Sequence, residues 1–208
     1  MEFDIWLAFT AASLALLMIP GPTVLLVLSY ALSQGRSVAL ATAAGVALGD
    51  FIAMTASLLG LGALVMTSAT AFMVLKWAGA AYLLYLGAKL FLSAKDATAS
   101  ELIRTDSQSA KTIFWHATTV TALNPKSIGF FIAFVPQFVS PTLPIAPQFG
   151  IMIATFVGFA TLNALVFALA ADKLRSLISR PSVIAWLTRA GGLTLIAMAG
   201  LTATLKRA

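Results

Sequence analysis

The stretch LLMIPGPTVL, residues 16–25, places two prolines around a glycine inside an otherwise apolar run. Proline removes a main-chain donor and clashes with the preceding turn, so the Pro-Gly-Pro motif at residues 20–22 predicts a break in the helix that this run would form. A second apolar run contains Asn-Pro-Lys at residues 124–126, which predicts a second break. Inside a membrane, breaks are tolerated only where protein or a water-filled cavity satisfies the freed main-chain groups. Both breaks therefore indicate an internal site.

The apolar composition indicates that the solvent of this chain is lipid. Of its 208 residues, 60% are hydrophobic and 10% are charged, whereas a soluble domain has about 25% charged residues. Glu2 and Asp4 do not fit the positively charged start of a secretory signal, so we expect the first apolar run to be retained as a helix. We predict an all-α integral membrane protein made of one transmembrane domain, residues 1–208.

Six apolar runs approach or exceed the roughly 20 residues that span a bilayer, and they predict six transmembrane helices. A five-helix alternative would leave the first or the last run at the membrane interface. The runs lie at about residues 5–28, 39–66, 70–93, 112–138, 148–171 and 183–204.

Basic residues in the connections orient the chain. The first connection contains Arg36, the third, residues 94–111, contains three basic residues, and the fifth also contains three. The second and fourth connections contain none. Cytoplasmic loops carry the excess of Lys and Arg, so we predict a cytoplasmic loop at 94–111 and both termini outside, against which only Lys206 and Arg207 argue. This distribution explains the basic charge of the chain without a nucleic-acid partner.

Polar features recur in a similar order in the two halves of the chain, about residues 1–93 and 112–208. The first and fourth helices are both predicted to be broken, and Asp50 in the second run has a counterpart in Asn163 in the fifth. With the predicted orientation, three helices start outside and three start inside. We therefore predict two inverted three-helix repeats, a common architecture of secondary transporters.

The breaks and the polar residues are predicted to lie at one depth. At about 1.5 Å per residue, Pro22, Asp50 and Lys126 each fall roughly 15–22 Å from the cytoplasmic end of their helix, and Asn163 falls slightly closer to that end. A half-helix that begins at Pro22 would present a partial positive charge suited to a carboxylate, and we expect a second half-helix to begin at Pro125. The candidate substrate-binding residues are Pro20, Gly21, Pro22, Asp50, Asn124, Pro125, Lys126 and Asn163.

Asp50 and Lys126 are the two charged residues predicted near the membrane centre, where a charge costs about 2.5–3.5 kcal/mol on insertion scales. One interpretation is a structural ion pair between the second and fourth helices. The other is that one or both bind a charged substrate or a proton, with Asp50 as the candidate proton-coupling residue. For Asn124, an interhelical hydrogen bond and a binding role are equally open.

Other candidates have simpler explanations. Lys76 and Lys89 lie near helix ends, where lysines extend to the interface. His116 could relay protons, because histidine changes its charge near physiological pH, but a solvated interfacial histidine is more common. Gly45-x-x-x-Gly49 permits close helix contact, and with it a possible homodimer.

Taken together, these residues resemble the LysE/RhtB family of bacterial amino-acid exporters. The resemblance covers nearly the whole chain and is specific as far as residue 138. It implies a six-helix permease of the bacterial inner membrane that exports amino acids or related metabolites, driven by the proton-motive force. The motifs that carry it are the Pro-Gly-Pro at 20–22, LSQGR at 32–36, GVALGD at 45–50, KWAGAAYL at 76–83 with Gly87, the Asn-Pro-Lys at 124–126 and Pro-Gln-Phe at 136–138.

Two alternatives stand beside amino-acid export. A transporter of another small solute, such as a metal cation, is disfavoured because the chain has no Cys and one His. An intramembrane hydrolase would need a nucleophile–base or paired-carboxylate set, which one central Asp does not supply. The sequence contains no Gly-x-x-x-x-Gly-Lys-Ser/Thr loop for ATP. We therefore expect no catalytic residue, no cofactor and no bound metal.

Overall fold

A computed structural model describes residues 1–19, 21–67, 69–94, 107–140, 142–178 and 181–204, and all regular secondary structure in these residues is helical. Short 3-10 turns occupy Gly35–Val38 and Val135–Phe138. The α-helices are α1 (Phe3–Met18), α2 (Pro22–Gln34), α3 (Ala39–Thr67), α4 (Ala69–Ser93), α5 (Ala110–Ala122), α6 (Pro125–Ala133), α7 (Ile145–Ile178) and α8 (Pro181–Thr204).

The helices coincide with the six predicted apolar runs. The first run forms α1 and α2, the fourth forms α5 and α6, and the other four each form one helix. Two boundaries were wrong. The helix predicted to end at residue 171 continues to Ile178, because charged residues such as Lys173 favour helix beyond the apolar stretch. The first run continues to Gln34.

Two stretches of the described residues are long and apolar enough to cross a membrane: Pro22–Gly60 and Ile145–Ala171. Phe3–Met18 is a shorter apolar helix. Large apolar side chains are exposed along the outward faces of the long helices. Contiguous exposed apolar surface marks contact with partners or lipid, which agrees with a membrane setting. Examples are Leu59, Val74, Leu92, Leu162, Val166 and Leu193.

The long helices α3 and α7 pack against each other and against the broken helices, α3 on α5 and α6 and α7 on α1 and α2. Gly45 and Gly49 make the contact with α5 possible. A Cβ on Gly49 would lie 2.7 Å from the main-chain oxygen of Thr118. The predicted close helix contact is confirmed, and it lies between α3 and α5 of one chain.

Candidate functional site

Both predicted breaks are present. α1 ends at Met18 and α2 begins at Pro22, while α5 ends at Ala122 and α6 begins at Pro125. In both cases proline is the first residue of the new helix, a position where its missing amide removes no intrahelical hydrogen bond. Pro20, which was predicted as part of the first break, lies outside the described residues.

Asn124 caps the helix that follows the second break, and it also connects this break to the first one. The side chain of Asn124 accepts a hydrogen bond from the Lys126 amide at 3.0 Å and donates one to Thr23 Oγ1 at 3.1 Å. Thr23 Oγ1 also lies 3.3 Å from Thr121 Oγ1. Asn124 therefore makes both a helix cap and an interhelical hydrogen bond, and it holds the start of α2 beside the start of α6.

The carbonyl groups freed at the end of α1 are satisfied by side chains from other helices. Lys126 Nζ donates to the carbonyls of Leu16 at 3.1 Å and Ile19 at 2.9 Å. Asn163 Nδ2, on α7, donates to the carbonyl of Leu17 at 3.2 Å. These bonds explain why an apolar run tolerates the break, since an unsatisfied main-chain group in lipid costs several kcal/mol.

One small cavity of about 30 Å³ brings the predicted polar residues together. It lies between the two breaks and is lined by residues of α1, α2, α3, α6 and α7. Gly21, Pro22 and Pro125 shape the breaks rather than line the cavity. The polar lining consists of Thr23, Asp50, Asn124, Lys126, Ser127 and Asn163.

Asp50 lies on α3, is 2% exposed, and contributes a carboxylate to this cavity. Within the described residues, its Oδ1 accepts no hydrogen bond. The hydrogen bonds of Lys126 Nζ go to main-chain carbonyls instead. The structural ion pair, one of the two interpretations from the sequence, is therefore not the contact that holds Lys126. The two charges share a cavity without a direct ion pair between them in the part of the chain that the structure describes.

Two hydroxyl residues of the cavity were missed from the sequence. Thr23 and Ser127 belong to the first turns of α2 and α6. Thr23 directly follows Pro22, and that position could have identified it. Ser127 is one residue beyond Lys126, so the same reasoning applies to it.

The weaker candidates lie away from the cavity. His116 is exposed, and its Nδ1 lies 2.8 Å from the hydroxyl of the buried Tyr30. Lys89 is exposed on α4, as expected of a lysine near a helix end. Some candidates lie outside the described residues: the side chain of Lys76, most of loop 94–111, Lys206 and Arg207. In the described part of the chain, no three His, Cys, Asp or Glu residues group as metal ligands do.

Comparisons with known proteins agree with the family resemblance. The model of the LysE type translocator family matches residues 14–206. A homoserine/homoserine lactone efflux protein of Salmonella typhimurium is 32% identical over 208 residues, the full length of both chains. A leucine efflux protein of Salmonella choleraesuis is 31% identical over 77% of this chain and 76% of its own. An uncharacterized membrane protein of Vibrio cholerae serotype O1 is 31% identical over 99% of this chain and 100% of its own. No solved structure matches.

Proposed function

The chain belongs to the LysE type translocator family, and from that premise we propose that it is a secondary exporter of amino acids or closely related metabolites in the bacterial inner membrane. The observation that carries this proposal is the meeting of both helix breaks, Asp50 and Lys126 at one buried cavity. Relatives named for efflux of homoserine, its lactone and leucine agree with it.

The cavity has complementary groups for a zwitterion. The first turns of α2 and α6, at Thr23 and Ser127, line it, and first-turn amides lack intrahelical acceptors, so they suit a carboxylate. An ammonium has three donors, of which Lys126 uses two on main-chain carbonyls; the third serves the same carboxylate. Asp50 receives the ammonium of the substrate. A lactone has no free carboxylate, but its carbonyl oxygen still accepts hydrogen bonds from helix amides.

Transport requires this cavity to widen. One water needs roughly 10–15 Å³ of such space, so the cavity of about 30 Å³ has room for water but not for an amino acid. We infer that the structure is a conformation without room for substrate, and that substrate enters when one half of the molecule moves relative to the other, as in repeat-built transporters.

We further propose six transmembrane spans in two inverted repeats, residues 1–93 and 112–208. In this arrangement α1 and α2 correspond to α5 and α6, α3 to α7, and α4 to α8. The contact between α4 and α8 supports a two-fold relation. A Cβ on Gly87 would lie 2.7 Å from Gly192 O, and a Cβ on Gly192 would lie 2.6 Å from Gly87 O.

Proton coupling is the energy source that this site supports best. Asp50 is a carboxylate whose Oδ1 has no hydrogen-bond partner in the described residues, and it faces the cavity in which substrate would bind. A proton and a substrate ammonium would therefore use the same group in turn. Alternate binding at this shared group would link export of the substrate to import of a proton.

Export by purified protein tests the function directly. We expect proteoliposomes that contain the protein to accumulate at least one amino acid from a radiolabelled panel when a pH gradient is imposed. Protein-free liposomes and liposomes without the gradient are the controls. Transport of none of the panel, by protein that melts cooperatively, would contradict the proposal.

Reporter fusions test the six spans and their direction. A reporter that is active only in the cytoplasm should be silent at Ala208 and active in loop 94–111, because the basic connections face the cytoplasm. A reporter active only outside the cytoplasm should give the opposite pattern and is the matched control. A C-terminal fusion that is active in the cytoplasm would indicate five spans.

A further inference from the structure

The end of α1 presents main-chain oxygens in an arrangement that attracts a cation. The carbonyls of Leu16 and Ile19 point to one position, where both accept hydrogen bonds from Lys126 Nζ at 3.1 and 2.9 Å. Leu16 O additionally accepts the amide of Ile19 at 3.2 Å. The C-terminal end of a helix carries a partial negative charge of roughly half an elementary charge. Both oxygens therefore favour a positive group.

The ammonium at this position comes from a distant part of the chain. Lys126 is the second residue of α6 and is 8% exposed, whereas lysines ordinarily extend their ammonium group to water. Its Nζ lies against the main chain of the first break, since a Cβ on Gly21 would be 3.3 Å away. The ammonium of Lys126, a residue of the second break, therefore satisfies main-chain carbonyls of the first break.

A carboxylate lines the same cavity as this ammonium, although within the described residues no direct ion pair joins the two groups. Asp50 is 2% exposed and lines the same cavity as Lys126, and its Oδ1 has no hydrogen-bond partner in the described part of the chain. Hard cations bind oxygen ligands. In secondary transporters, unwound carbonyls and the C-terminal ends of half-helices coordinate Na⁺.

We propose that Leu16 O and Ile19 O form a monovalent-cation site that the Lys126 ammonium fills, with the negative charge of Asp50 at the same cavity favouring a cation there. The lysine replaces a free alkali cation, so the folded protein needs no Na⁺ at the first break. Removal of the ammonium leaves a negative, oxygen-lined site, which a small alkali cation then enters.

Thermal melting of the purified full-length protein tests the site without measuring transport, so its failure and a failure of the proposed export are separate results. Tm is measured in choline chloride and in NaCl, KCl or LiCl at constant ionic strength. Wild-type Tm should be the same in all four salts. Lys126→Met should melt lower than wild type in choline, and an alkali salt should raise its Tm by about 5–10 °C at a concentration a hundredfold above Kd.

Matched variants separate this site from a general salt effect. Lys89→Met removes an exposed lysine and should behave as wild type, and adding Asp50→Asn to Lys126→Met should reduce the rise in Tm. Equal Tm of folded Lys126→Met in all salts would overturn the proposal, and so would an equal rise in wild type or in Lys89→Met.

A second variant and a measurement on wild type cover the case in which Lys126→Met does not fold. Lys126→Gln has a shorter, uncharged side chain, so it also leaves the site without an ammonium, and an alkali salt should again raise its Tm. In folded wild type, Lys126 should resist acetylation while Lys89 reacts. Acetylation of both lysines at the same rate would overturn the proposal.

Discussion

Asp50→Asn is expected to abolish gradient-driven accumulation of substrate while the variant still inserts and folds. The amide has nearly the same shape as the carboxylate but does not titrate, so it removes the protonation step that coupling requires. Exchange of substrate without a gradient should persist at a lower rate, since the amide oxygen still accepts a hydrogen bond from an ammonium. Loss of a hydrogen bond to a charged group is worth about 1.5–3 kcal/mol, which lowers affinity about 10-fold or more.

The contacts of Lys126 explain why this variant should fold. Removing one partner of a buried ion pair costs about 3–5 kcal/mol, because the other charge is left uncompensated. In this chain the Lys126 ammonium donates to Leu16 O and Ile19 O, and both bonds remain when Asp50 becomes neutral. Protein level and Tm should therefore stay close to those of wild type.

Three measurements separate coupling from a structural role: protein level, accumulation driven by a pH gradient, and exchange at equal pH. Asp4→Asn is the matched control, since it makes the same change at an exposed position of α1, and it should leave all three unchanged. If the Asp50→Asn, Lys126→Met double variant recovered gradient-driven transport, Asp50 would not be the coupling group.

The two breaks and the helices around them could be predicted from the sequence because their causes are local. Proline inside a helix removes a main-chain donor and clashes with the preceding turn, and both breaks appear at the prolines of residues 22 and 125. Charged residues are rare in transmembrane helices, so Asp50 and Lys126 could be identified as candidate site residues from the sequence. The structure places both at the cavity between the breaks.

The partner of Lys126 could not be predicted from the sequence. It was expected either to pair with Asp50 or to bind a ligand, because charged side chains are visible in a sequence and main-chain acceptors are not. Every residue has a carbonyl, so only the geometry of the break shows that Leu16 and Ile19 present theirs.

The carboxylate of the substrate should decide whether it is transported. An exported amino acid is compared with the amine formed by removing its carboxylate and with its neutral carboxamide, which is nearly the same size. The amine leaves the first-turn amides at Thr23 and Ser127 and the third donor of Lys126 without an acceptor. Loss of such a charged partner is worth about 1.5–3 kcal/mol, so the amine should compete about 10- to 100-fold more weakly.

Comparison with the carboxamide separates the effect of the substrate's negative charge from the effect of its size. Its carbonyl oxygen still accepts hydrogen bonds from the helix amides, but it carries no charge for Lys126 or for the partial positive charges of the two half-helices. We expect it to compete between the acid and the amine, and an ester should behave likewise. Competition is measured against a labelled amino acid in exchange mode at equal pH, so that proton coupling does not contribute. Equal competition by the amino acid and its amine would show that these helix ends and Lys126 do not bind a carboxylate, and that Asp50 alone selects the substrate through its ammonium.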